Sequence, residues 1–118
     1  MNEVVIEKVA DAIAHAEGYY VAGSRPQRNN NPGDLEVDVT GEGIGRDGPY
    51  IVYATPQDGL DALKYLVRLM FKGSRIYKPD MTITEVAIHY TATSPMDWAR
   101  AVAQRLGVGV YTRLQEIR

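Results

Sequence analysis

The stretch Ala14-His15-Ala16-Glu17-Gly18-Tyr19-Tyr20, followed by Arg28-Asn29-Asn30-Asn31-Pro32-Gly33-Asp34-Leu35, decides how the rest of the chain is read. The first part closes an apolar repeat. Val5, Ile6, Val9, Ala12, Ile13 and Ala16 fall on one face at helical spacing, so a helix is expected from Glu3 to about Glu17. Gly18 is its natural stop, because glycine enters the left-handed region without a Cβ penalty. The second part is polar and rich in turn formers. Pro32 followed by Gly33 fits a type II turn, with proline presetting one central position and glycine supplying positive φ at the next.

Beyond this pair, Leu35-Glu36-Val37-Asp38-Val39 alternates like a short strand, and Tyr50-Ile51-Val52-Tyr53 is expected to pair with it. The connection through Gly41-Glu42-Gly43-Ile44-Gly45 has neither the strand-to-helix context nor the lysine of a phosphate loop, and reads as a flexible hairpin tip. Thr55-Pro56-Gln57-Asp58 is a helix start, with a capping hydroxyl, proline in the first turn and an acid behind it. Leu60, Leu63, Leu66, Val67 and Met70 give that helix an apolar face, ended near Gly73. Thr82-Ile83-Thr84-Glu85 is a capping box opening a helix to about Tyr90. Ser94-Pro95-Met96-Asp97 opens another, with Trp98, Val102 and Leu106 on one face and Gly107 as its stop. A last short helix is expected from about Tyr111. The expectation is one α+β domain over residues 1–118, mostly helical, with a small β-hairpin insert after the first helix.

Composition narrows the function. A net charge of -2 with both signs interspersed lacks the basic stripe of a nucleic-acid binder. The absence of cysteine removes disulfides and thiolate metal sites. His15 and His89 stand alone, so no metal or cofactor is expected. Met1 to Lys8 has no basic n-region or long apolar run, so it does not read as a signal peptide. No run approaches the length of a membrane span.

The candidate chemistry centres on Glu17. It lies four residues after Ile13, so its side chain starts at the edge of the buried face. The negative end of the helix dipole and partial burial both favour the protonated carboxyl. That suits a general acid, although a solvated glutamate at a helix end fits the same spacing. Asn29, Asn30 and Asn31 offer adjacent amide donors and acceptors, suited to sugar hydroxyls or to capping their own loop. Among Asp34, Glu36, Asp38 and Asp47, Asp34 is the best second carboxylate, because the Pro-Gly turn can fold it back toward the helix end. Tyr19, Tyr20, Tyr50, Tyr53 and Tyr90 are candidates to stack on sugar faces or to edge the core.

Taken in order, Ala-Glu-Gly-Tyr at 16–19 and Arg-Asn-Asn-Asn-Pro-Gly-Asp-Leu at 28–35 resemble small phage and prophage proteins of the lysozyme-like superfamily, related to soluble lytic transglycosylases and goose-type lysozymes. Thr55 to Leu63 resembles that family's Pro-x-x-Gly-x-x-Ala-Leu helix, and Thr82 to Val86 and Asp97 to Val108 resemble its later helices. The resemblance implies a lysozyme-like fold and cleavage of peptidoglycan between N-acetylmuramic acid and N-acetylglucosamine. Glu17 takes the position of the catalytic acid/base. Asn29, Asn30, Asn31, Tyr19, Tyr53 and Tyr90 become expected substrate contacts, with Asp34 as a catalytic partner where the family has asparagine. It also implies a monomer that reaches the wall by phage-type or other non-Sec delivery, or rides on a virion. The alternative is a virion or cell-wall structural protein that binds peptidoglycan without cutting it.

Overall fold

The computed structural model describes residues 2–118. Helix α1 (Glu3–Ala16) starts where the Asn2 side chain accepts the Val4 N–H. It is the central rod of the domain, packing against α5 (Pro95–Leu106) and α3 (Pro56–Lys72). Helix α4 (Ile83–Tyr90) packs in turn on α5. About half of the chain is helical. The main core is aliphatic: Ile6, Val9 and Ile13 of α1 meet Leu63, Val67 and Met70 of α3 and Val102 of α5. The amphipathic periods of the sequence produce these faces, as expected.

The helix signals hold at residue level. Thr55 caps α3 through the Asp58 N–H, and Thr82 with Glu85 forms the reciprocal capping box. Gly107 ends α5 in the left-handed region. Ser94 departs from its expected role: its φ of 48° turns its hydroxyl away from capping, and its carbonyl alone accepts the Asp97 and Trp98 N–H groups. The tail closes with a single 3-10 turn, Leu114–Glu116.

The sheet is a correction. β1 is Gly43–Asp47, paired antiparallel with β2 (Tyr50–Tyr53) with a bulge between Gly43 and Gly45. The glycine-rich segment read as a hairpin tip is therefore one arm of the hairpin. Leu35–Val39, expected to be that arm, has no strand geometry. Its burial does not follow the alternation: Leu35 is buried beside Ile51 and Tyr53, with Val39 against them, while Val37 faces outward with Glu36. A four-residue helix, α2 (Arg25–Arg28), also precedes the loop, capped by Ser24.

The loop from Asn29 to Asp34 is fixed by its own amides. The Asn31 side chain, fully buried, accepts the Leu35 N–H at 2.9 Å and donates to the Leu35 and Ile51 carbonyls at 3.0 and 2.9 Å. One amide thereby saturates three backbone groups that burial would otherwise leave unpaired. Asn30 donates to the Tyr53 carbonyl and Asn29 to Asp47, so the loop is laced to the hairpin. The 31–34 turn closes with the Asp34 N–H on the Asn31 carbonyl, but positive φ falls on Asp34 (50°), not on Gly33. Gly33 is required for space instead: a Cβ there would lie 2.8 Å from both Leu63 Cδ1 and the Tyr90 hydroxyl. Gly59, in the first turn of α3, is likewise pressed against the Asn30 carbonyl.

Candidate active site

Glu17 is the C-cap of α1. Gly18, at φ 80°, donates to the His15 carbonyl, and Tyr19 donates to that of Ala14, the hydrogen-bond pair of a Schellman closure. This local geometry aims the Glu17 side chain off the helix end toward α5. There the buried Trp98 donates its indole Nε1–H to Glu17 Oε2 at 2.8 Å. Trp98 stacks on Tyr90, the last residue of α4, with ring centroids 4.8 Å apart and planes at 28°. The Tyr90 hydroxyl donates to the Gly33 carbonyl at 2.7 Å. A single relay of side chains thus ties the end of α1, α5, α4 and the 31–34 turn into one wall.

Burial pushes the Glu17 carboxyl up to about 7 from its ordinary 4.5. The Trp98 hydrogen bond opposes this by favouring the carboxylate, the nearby negative charge of Asp34 adds to it, and Arg25 offsets part.

Asp34 faces the same cleft in a different state. Its carboxylate is only 5% exposed, and both oxygens accept from Arg25 Nε at 3.2 Å. The Arg25 guanidinium also lies 3.7 Å above the Tyr50 ring. Asp34 is thus held in a bidentate ion pair backed by an aromatic face.

The cleft between these walls has a volume of about 360 Å³ and is closed on a third side by Thr91 to Ser94. Glu36 also lines it, exposed and without an ion-pair partner among the described residues. Of the residues expected to form the site, Glu17, Asp34 and Tyr90 come together here. Asn29 and Asn31 are buried in the loop that supports the wall, and Asn30 is spent on the Tyr53 carbonyl. Tyr53 is 1% exposed, its hydroxyl unpartnered among the described residues, and belongs to the small core beneath the hairpin. Tyr19 lines a separate groove between α1 and the start of α3. Tyr50, a candidate sugar-stacking residue, also lines the cleft, while Trp98 and Arg25 are the site residues that spacing did not assign. Arg25 had one local signal, its position just behind the Ser24 cap.

Among the described residues no cluster of His, Asp or Glu has the arrangement of a metal site, and no helix is long and apolar enough to cross a membrane. Comparison with protein-family models, with curated proteins and with solved structures gives no significant match.

Proposed function

We propose that this protein has a lysozyme-like fold and cuts the glycan strands of peptidoglycan between N-acetylmuramic acid and N-acetylglucosamine, with Glu17 as general acid and then base. One observation carries this reading: Glu17, half-buried at a helix end and raised to about 7, faces an open cleft while held in place by the Trp98 indole. A carboxyl that keeps its proton near neutrality, beside a groove with polar walls, is what protonation of a glycosidic oxygen requires. The in-order motif resemblance across the chain supplies the substrate class.

In this mechanism Glu17 gives its proton to the bridging oxygen as the C1–O bond breaks, and positive charge develops at the muramyl anomeric carbon. When the muramyl 6-hydroxyl attacks that carbon, Glu17, now a carboxylate, takes its proton; when water attacks with inversion, a second carboxylate on the opposite face takes it instead. If the attacker is the muramyl 6-hydroxyl, a 1,6-anhydro product results and no second carboxylate is needed. If it is water, an inverting route needs another carboxylate to hold that water. Asp34 is poorly suited to the task, because Arg25 occupies both its oxygens. Glu36 lines the cleft as a second carboxylate without an ion-pair partner among the described residues.

The test is mass spectrometry of products released from purified sacculi. Wild type is expected to release muropeptides, and Glu17→Gln none, with the circular dichroism of the two unchanged. Anhydro ends assign the 6-hydroxyl route. Reducing ends, with loss of activity in Glu36→Gln, assign the water route. Sacculus binding without release by wild type overturns catalysis and leaves a structural glycan-binding role.

A further inference from the structure

Tyr20 is 56% exposed and yet held in place from three directions. The His15 ring packs against it with centroids 4.3 Å apart, and Tyr19 meets it edge-on at 5.1 Å and 77°. Its hydroxyl donates to Asp11 Oδ1 at 3.4 Å. A ring ordered in this way has lost its freedom before any ligand arrives, which lowers the cost of binding one.

Tyr20 forms one wall of a groove of about 520 Å³ between α1 and the start of α3, a volume in the range of small-ligand sites. Tyr19 and Leu60 add apolar surface, and Glu7, Asp11, Gln57 and Lys64 surround it with polar groups. The groove shares no lining residue with the Glu17 cleft. Pro32 lines the groove and Asp34 lines the cleft, so the 31–34 turn stands between the two.

The charges of the groove select its occupant. Glu7 pairs with Lys64 at 3.8 Å, and Asp11 accepts from Arg105 Nε at 2.9 Å as well as from Tyr20. A cation therefore finds no unpaired carboxylate. An anion meets two carboxylates beside one ammonium that is already engaged. A nucleotide could stack on the ring, but its phosphate would meet the same repulsion. What the groove does offer is spare carboxylate lone pairs, the Gln57 amide and ammonium protons, set around an aromatic face. A neutral ring with an apolar C–H face and hydroxyls at its rim matches that arrangement. A pyranose is such a ring.

We propose that this groove is a second saccharide site, in which a neutral pyranose of a glycan strand stacks on Tyr20 and hydrogen-bonds to Glu7, Gln57 and Lys64. The protein then grips a strand at a point apart from the cleft. The sugar assignment comes from the groove itself, and only the identification of that strand as peptidoglycan rests on the glycan-cleaving reading above.

The experiment is an NMR titration of the full Glu17→Gln chain with a tetramer of N-acetylglucosamine. The amide signals of Tyr20, Gln57 and Lys64 are expected to shift on binding. Adding Tyr20→Ala should weaken the affinity read at Gln57 and Lys64 by about tenfold, the scale of one stacked aromatic. Tyr20→Phe, which keeps the ring, should retain most of it. Absence of groove shifts at millimolar tetramer, unchanged affinity in Tyr20→Ala, or tighter binding of the de-N-acetylated, cationic tetramer each overturns the site. On sacculi, Tyr20→Ala in the otherwise native chain is expected to raise KM and leave kcat unchanged. A loss confined to kcat would place Tyr20 in support of the cleft and overturn the second site. If the native chain releases nothing from sacculi, the cleavage reading fails, and the titration still decides the groove.

Discussion

Two carboxylates face one cleft and are handled in opposite ways. Glu17 is desolvated, given a single N–H from Trp98 and no cation in contact, so its proton affinity rises. Asp34, only 5% exposed, is given a guanidinium on both oxygens, and that guanidinium is itself backed by Tyr50. Burial alone does not make an acid catalyst. What separates the two is whether a positive partner accompanies the carboxylate into the protein. Glu17 is left able to exchange a proton, while Asp34 is bound into the wall that shapes the cleft.

The largest test of this contrast is a paired substitution. Glu17→Gln should lower the rate of sacculus lysis by roughly a thousandfold, within the range for loss of a general acid. Asp34→Asn should cost less than about tenfold, since the amide oxygen keeps one acceptor for Arg25 and the Glu17–Trp98 bond is left in place. Lysis assays on the two purified, folded variants decide it, and equal inactivity would show that Asp34 takes part in the chemistry.

A smaller effect appears in stability. Between about 4.5 and about 7 the unfolded chain ionises Glu17 while the folded chain keeps it protonated. The folded state therefore holds the extra proton, and stability falls as pH rises through that window. Glu17→Gln removes the effect. It should match wild type below about pH 4 and exceed it by about 1–3 kcal/mol at pH 8, with burial and linkage setting the scale. Urea denaturation at the two pH values measures this, and a constant difference across pH would contradict the assigned proton affinity.

The smallest effect isolates the indole. Trp98→Phe keeps an aromatic ring against Tyr90 but withdraws the N–H that favours the Glu17 carboxylate. The acid should then hold its proton to higher pH. The alkaline limb of the pH–rate profile is expected to move up by about one unit, the scale of one hydrogen bond to a charged group. A downward shift would mean that the indole acts otherwise.

Much of the scaffold was legible because its signals are local. The apolar period of α1, the glycine after Glu17, the Thr55-Pro56 start of α3 and the Thr82–Glu85 capping box each act within about one helical turn. The hairpin was half legible. Tyr50–Tyr53 alternates because Ile51 and Tyr53 are buried, whereas Gly43–Asp47 has mostly exposed residues and no apolar pattern to betray it. Leu35–Val39 alternates in sequence but not in burial, since Val37 is exposed.

The sequence by itself determined where Glu17 stands: at the end of an amphipathic helix, released by Gly18 and pointed away from the helix axis. Only the tertiary structure decided what Glu17 is, because its hydrogen-bond partner Trp98 lies 81 positions away and the cleft in which it is buried is closed by α4 and the 31–34 turn. It also decided that the three asparagines build the wall, since the carbonyls of Tyr53 and Ile51 that two of them bond are brought near by the hairpin. Backbone conformation answers to neighbours in sequence, whereas proton affinity and hydrogen-bond satisfaction answer to neighbours in space.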